Sequence, residues 1–359
     1  MAVPDVKEKL NKVFFLLSVI IIIILAFLLF QKRFKFFLKK APFSLKLVRI
    51  IGTKYNLKGP VAVSFGRKND IYVVDSGNSR IIKFNINGIY LSQWGIEGKA
   101  TGEFMVPLYA VAYGSPKRIY VVDSGNSRIQ IFKPDGEFVS EFGASKNSKR
   151  MLTEPTFIGF AYNKIYVANS GADDIIIYFK NGQFYERIGN ATIRSSSNKA
   201  NSALKSRKGI KHNKNSGVFS QSSSKPIALK KPVSIAFSKK YIYISDYGVS
   251  KILVFNRQFD YIGSIGIPGE KGYQLYHPVG IVYKKGYLFV ANYGRSILTV
   301  FKLENGYDVV KSYNFGTPGL GGRNFNHESN ISISASGKYI AVADTNNNRV
   351  LVYRIFGLK

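Results

Sequence analysis

The chain offers three histidines, His212, His277 and His327, and no cysteine for metal or nucleophilic chemistry. Disulfides, thiolate metal sites and cysteine nucleophiles are therefore excluded, and a metal would have to be held by imidazole or carboxylate. His277 and His327 stand at equivalent points, just ahead of the segments HPVGIVY and HESNI, so two imidazoles begin a ligand set. Catalytic zinc usually takes three protein ligands, and the aligned points elsewhere are Gly59, Val106, Glu154 and Lys231, of which Glu154 alone adds a donor. No nucleophile stands at readable spacing from a base, so no catalytic residue, metal or other cofactor is expected.

Binding chemistry is better supplied. Tyr247 and Tyr293 follow an Asp and an Asn in two matching turns, with Lys251 and Arg295 close by in sequence. Aromatic rings beside bases are able to stack on a ligand and hold its charge. Arg80 and Arg128 follow Asp75 and Asp123 by five residues, and are read both as partners of those acids and as candidate ligand contacts. The candidate binding set is thus Tyr247, Tyr293, Arg295, Lys251, His277, His327, Arg80 and Arg128.

These residues belong to a repeat. Six segments align, IYVVDSGNSRIIKF from Ile71, IYVVDSGNSRIQIF from Ile119, IYVANSGADDIIIYF from Ile165, IYISDYGVSKILVF from Ile242, LFVANYGRSILTVF from Leu288 and IAVADTNNNRVLVY from Ile340. Their spacing is about 47 residues once an insertion in the third interval is set aside, the period of a propeller blade. Each copy reads as strand, turn and strand, rich in β-branched and aromatic residues. In the turn, the Asp or Asn is expected to cap backbone N–H groups and the Gly two residues on to supply positive φ. A small, apolar inner strand such as GPVAVSF precedes each copy, and an outer strand such as YLSQWG follows every copy but the last. LKLVRIIG, from Leu45 to Gly52, matches the outer-strand pattern and has no blade of its own, so it is expected to close the ring on the sixth blade. The fold class expected is all-β, a six-bladed propeller over residues 44–359.

In the P-x-(G/A)-(I/V)-A-like inner strand and the (I/V)-Y-V-(V/A)-D-S-G-N-x-R-(I/V) hairpin, the chain resembles the NHL-repeat family of six-bladed propellers. The likeness is clearest in blades one and two. It is weaker in blade five, whose turn reads as one residue short, and in blade six, where NHESNI lacks the proline. The family includes RNA-binding domains, protein-interaction domains, extracellular sensor domains on bacterial membrane proteins and a zinc lyase. The resemblance therefore implies a fold and leaves activity open. The histidine ligands and disulfide frame of such a lyase are not found in this sequence.

Ahead of the repeats, Val13 to Phe30 reads VFFLLSVIIIIILAFLLF, long and apolar enough to be expected as a single transmembrane helix. It lies between an N-terminal tail, residues 1–12, and a basic linker, residues 31–43. The positive-inside tendency would hold the propeller in the cytoplasm, whereas the habit of short-tailed N-terminal anchors favours export, and an extracytoplasmic propeller is the expectation adopted. Formal charge is +31. Much of the excess falls in two acid-free runs, residues 31–69 and a Ser/Lys-rich insertion, residues 190–231, between blades three and four. Strand alternation places the six turns, the insertion and both blade histidines on one face, here called upper. A membrane-anchored, non-enzymatic binding, sensor or scaffold module for a protein or peptide is the function expected. Binding of an anionic polymer or RNA is an alternative, and a metal-dependent hydrolase or lyase a second; a small-molecule substrate is not expected.

Overall fold

The computed structural model describes residues 41–52, 54–144, 151–189, 194–195, 219–221, 228–270, 273–322 and 324–358. Ser44–Lys359 forms one compact unit, built of six antiparallel sheets. Blade one is Pro60–Phe65, Ile71–Asp75, Arg80–Phe84 and Tyr90–Trp94, and blade two Pro107–Tyr113, Arg118–Asp123, Arg128–Phe132 and Phe138–Phe142. Blade three is Pro155–Ala161, Lys164–Asn169, Asp174–Phe179 and Phe184–Ile188, and blade four Pro232–Phe237, Tyr241–Asp246, Lys251–Asn256 and Asp260–Ile265. Blade five is Pro278–Lys284, Tyr287–Asn292, Ile297–Glu304 and Asp308–Phe315. Blade six combines Glu328–Ile333, Tyr339–Asp344 and Arg349–Phe356 with Ser44–Ile51 as its outer strand. The chain's first described strand thus pairs with its last, Ser44 opposite Phe356 and Ile51 opposite Val350.

The pattern of burial explains why the hairpins were legible. The second strand of blade one, IYVVD, is buried along its whole length, because neighbouring blades cover both faces of each sheet. Outer strands are half solvated, as in Tyr90–Trp94. Between blades aliphatic packing, such as Val63 and Val73 in one cluster with Ala341 and Val350, is joined by ring pairs: Tyr113 lies on Phe160 at 3.9 Å between centroids, and Tyr243 on Tyr283 at 5.4 Å.

Several expectations are corrected. Blade five's turn is not short, since Ile297 pairs with Asn292 in the register by which Arg80 pairs with Asp75. Blade four carries more than four strands. Arg194–Ser195 adds parallel to its outer strand and Phe219–Gln221 antiparallel, so the ends of the insertion lie along that sheet edge. The remainder of residues 190–231, apart from 228–231, is outside the described residues. The single-pass membrane placement is not supported: among the described residues no helix is long and apolar enough to cross a membrane. The segment expected to span, Val13 to Phe30, lies outside the described residues, as do the tail and most of the linker.

Candidate functional site

The upper face is organised by the Asp or Asn that ends the second strand of each blade. Its side chain does not cap the turn that follows in blades one, two, three, five and six. It accepts instead from a backbone N–H in the loop entering its own blade: Lys58 to Asp75 at 2.7 Å, Met105 to Asp123 at 2.8 Å, Thr153 to Asn169 at 2.5 Å, Lys230 to Asp246 at 2.7 Å, Tyr276 to Asn292 at 2.8 Å and Asn326 to Asp344 at 2.7 Å. The turn answers in the other direction, Gly77 N–H donating to the Lys58 carbonyl and Gly125 N–H to that of Met105. Here the glycines earn their place through space rather than positive φ. A Cβ on Gly77 would lie 2.6 Å from the Lys58 oxygen, and one on Gly125 2.5 Å from that of Met105. The left-handed residue comes two positions later, at Ser79, Ser127, Asp173, Ser250, Ser296 and Asn348.

Arg80 and Arg128 are drawn into the same frame. Arg128 is buried and gives Nε to Asp123 at 2.7 Å, one terminal nitrogen to Glu141 at 3.0 Å and the other to the Ala100 and Glu103 carbonyls. Arg80 is half-buried and repeats this with Asp75, Gln93 and the Tyr55 carbonyl; Arg349 does so with Asp344, Gly321 and Asn324. Each guanidinium is thus tied to its own blade and its entering loop. Blade four has Lys251 at this position, with no ion pair to Asp246 recorded among the described residues. Without a guanidinium, burial pushes the Asp246 carboxyl up to about 6, against the pull of the Lys230, Val249 and Gly248 N–H groups.

The seams between blades place the candidate histidines. The left-handed residue of one blade accepts the N–H of the residue preceding the next inner strand: Asp173 from Lys231 at 2.7 Å, Ser250 from His277 at 3.2 Å, Ser296 from His327 at 3.1 Å and Asn348 from Gly59 at 2.7 Å. Lys231, His277 and His327 themselves sit at φ 66°, 51° and 54°, the left-handed conformation that Gly59, Val106 and Glu154 also take at this position, so it belongs to the fold. In blades three and six the residue after the strand-end Asp or Asn sends a hydroxyl to the next blade's backbone, Ser170 to the Pro232 carbonyl and Thr345 to that of Pro60. Tyr247 and Tyr293 occupy that position in blades four and five, and each crosses its seam with a ring.

The result is a column of rings on the upper face. Tyr247 is parallel to His277, with centroids 4.2 Å apart and planes 9° apart, and Tyr276 stacks on the same imidazole at 4.3 Å and 23°. The two tyrosines make no ring contact with each other, so they cover opposite faces of His277. Lys231 Nζ lies 5.3 Å from the centroid of Tyr247, and a Cβ on Gly294 would come within 2.4 Å of Tyr276. Beside the column, Tyr293 meets His327 edge-on at 4.7 Å. The Nδ1 of His327 is 2.9 Å from Asn326 Oδ1 and 3.1 Å from Asn346 Nδ2. All five rings are half-buried. Burial first, then the nearby Tyr293 and Tyr276, raises the Tyr247 phenol, so it remains an O–H donor. Arg295 donates to the Gln274 carbonyl at 3.2 Å.

Beneath His327, Glu328 takes the place that proline holds in the other five blades. It is fully buried, and neither carboxyl oxygen has a partner at hydrogen-bond geometry. Burial, aided by Asp344, holds its carboxyl well above the usual carboxylate range, and the Glu328, Ile297 and Asn292 N–H groups offset only part of this. Among the described residues no three His, Asp or Glu side chains converge as metal ligands. Of the candidates read from sequence, Tyr247, His277, Tyr293 and His327 come together, whereas Arg80, Arg128, Arg295 and Lys251 do not join them. Tyr276, Lys231, Asn326 and Asn346 were missed. Their aligned counterparts in other blades are unlike them, so the repeat carries no signal for them.

No protein-family model matches this chain, and no curated protein does. Solved structures share its architecture. A streptogramin B lyase is 12% identical, with TM-score 0.53 over 88% of this chain and 98% of its own. A virginiamycin B lyase from Staphylococcus aureus is 12% identical, with TM-score 0.51 over 87% and 88%. A gluconolactonase from Xanthomonas campestris is 12% identical, with TM-score 0.55 over 87% and 95%. At such identity these likenesses establish the six-bladed propeller fold and nothing about activity.

Proposed function

We propose that this chain is a non-enzymatic binding module of the NHL-repeat type, and that it takes a protein or peptide on the upper face of blades four to six. The observation that carries this reading is the Tyr247, His277 and Tyr276 column, flanked by Tyr293 and His327. Blades one to three have Ser at the positions of Tyr247 and Tyr293, so the fold does not require rings there. Rigid, half-exposed aromatic and imidazole groups are the usual anchors of recognition surfaces. Selecting a random peptide library against the immobilised full chain tests it. Selected peptides are expected to bind wild type and to lose most of their affinity for Tyr247→Ser. Selected peptides that ignore this substitution would remove the reading.

A second reading, a propeller lyase or hydrolase, draws on the imidazole of His327 positioned at Nδ1 by two asparagines and on the enzymes among the structural neighbours. Turnover of a gluconolactone that disappears in His327→Ala would favour it over the binding module.

A further inference from the structure

We infer that the ligand of this site is an acidic peptide, its carboxylates gripped at the edge of the Tyr247, His277 and Tyr276 column by the imidazole of His277, the tyrosine hydroxyls and Lys231. The inference rests on the binding reading above and specifies its chemistry.

The column leaves few ring faces free. Both faces of His277 are covered, by Tyr247 at 4.2 Å and Tyr276 at 4.3 Å. One face of Tyr247 is taken by His277, and Lys231 Nζ also lies over this ring. Tyr276 is caught between His277 and the Gly294 backbone. A nucleobase or a ligand aromatic needs an open face on which to stack; within the column His277 has none, whereas Tyr293 and His327 beside it meet edge-on and are not stacked on each other. The column itself offers edges: the imidazole nitrogens of His277, the tyrosine hydroxyls and the Lys231 ammonium. No side-chain hydrogen bond engages the His277 nitrogens among the described residues. An ammonium donates only, an imidazolium donates at both nitrogens, and the raised Tyr247 phenol keeps its proton. Such a donor-rich edge complements a group that only accepts, and among peptide side chains that is a carboxylate.

The charged and titratable groups at His277 include Tyr247, Tyr276 and Lys231, with Asp246 next to Tyr247 in the chain, Asp173 accepting the Lys231 N–H, and Arg295 with its electrostatic neighbour Glu270 in the same blade's loops. Around His327 they are Tyr293, the buried Glu328 and Asp344, the last ion-paired to Arg349, alongside the neutral Asn326 and Asn346. Among the described residues no hydrogen bond or ion pair joins a carboxylate to either imidazole, so a carboxylate brought by a ligand would be its first direct anionic partner.

The test is fluorescence anisotropy with the full chain at constant salt and pH, comparing labelled decaglutamate, decaglutamine and a ten-nucleotide oligouridine. Wild type is set against Tyr247→Ser and against the pair His277→Asn, His327→Asn; asparagine tolerates left-handed backbone, and thermal melts confirm folding. Decaglutamate is expected to bind wild type about tenfold more tightly than decaglutamine, as charge-assisted contacts to a carboxylate give. The pair should lose most of that difference. Decaglutamate binding that is indifferent to the pair would reduce the attraction to the chain's general positive charge and overturn the inference. Decaglutamine bound as well as decaglutamate, with loss in Tyr247→Ser, would overturn it while sparing the binding reading. Oligouridine bound more tightly than decaglutamate, with the same histidine dependence, would assign the site to nucleic acid. Binding of every probe unaffected by Tyr247→Ser would remove both.

Discussion

Tyr247 of blade four lies flat on His277 of blade five, 4.2 Å between centroids, at a seam position where blades three and six use a hydroxyl-to-carbonyl hydrogen bond. The same pair is therefore an inter-blade joint and, on the binding reading proposed above, a half-exposed recognition surface, so substitutions there should be felt in both stability and binding.

The joint is measurable by itself. Tyr247→Ser is expected to destabilise the propeller by about 1 kcal/mol, the worth of a well-placed ring pair. A double-mutant cycle with His277→Asn in guanidinium unfolding should return a coupling energy of that size. Additive effects would show that the rings are neighbours without being partners.

Arg128 and Arg80 hold the same position in their blades but differ in burial, the Arg128 side chain being 7% exposed and that of Arg80 20%. Arg128→Ala leaves Asp123 charged and buried, and is expected to cost about 3–5 kcal/mol. Arg80→Ala should cost clearly less, because water reaches the Asp75 pair more easily. Comparing midpoints of chemical unfolding for the two variants decides the point.

Asp246 is expected to make stability depend on pH. Its folded carboxyl titrates at about 6, and the unfolded one near 3.9. The native state therefore binds the proton more tightly. That contribution is complete below about pH 4 and is lost as pH rises through about 6, leaving the fold weaker by roughly 3 kcal/mol at neutral pH. Lys251→Arg supplies the guanidinium that blades one, two and six possess. It should raise the melting temperature more at pH 7.5 than at pH 4.5.

Two glycines of opposite kind offer a further check. Gly125→Ala drives a Cβ to 2.5 Å from the Met105 oxygen, across a hydrogen-bonded backbone pair with no slack, and should cost about 2–3 kcal/mol. Gly59→Ala meets nothing within 4 Å despite φ +54°, and other blades carry side chains there at similar φ. It should cost no more than about 1 kcal/mol, read by thermal denaturation.

The order in which these features became visible has physical causes. The six blades and the closing strand follow from the residues alone, because a hairpin covered on both faces must be largely apolar, as the runs IYVV and II of blade one are, and because Leu45 to Gly52 repeats a pattern that the last copy lacks. The Asp75 to Arg80 and Asp123 to Arg128 pairs were equally readable, since both partners lie within one turn. Local reasoning failed where a contact leaves the turn. Asp75 looked like a cap and instead binds the Lys58 N–H; Gly77 looked like a positive-φ residue and instead yields space to the Lys58 carbonyl. The column of Tyr247, His277 and Tyr276 lay further out of reach. Tyr276 and Asn326 occupy positions that carry no common residue type around the ring. It is ring closure that sets blade four against blade five at stacking distance. Side-chain type follows from sequence, but which faces of a ring are covered and which edges stay free is settled only when neighbouring blades pack.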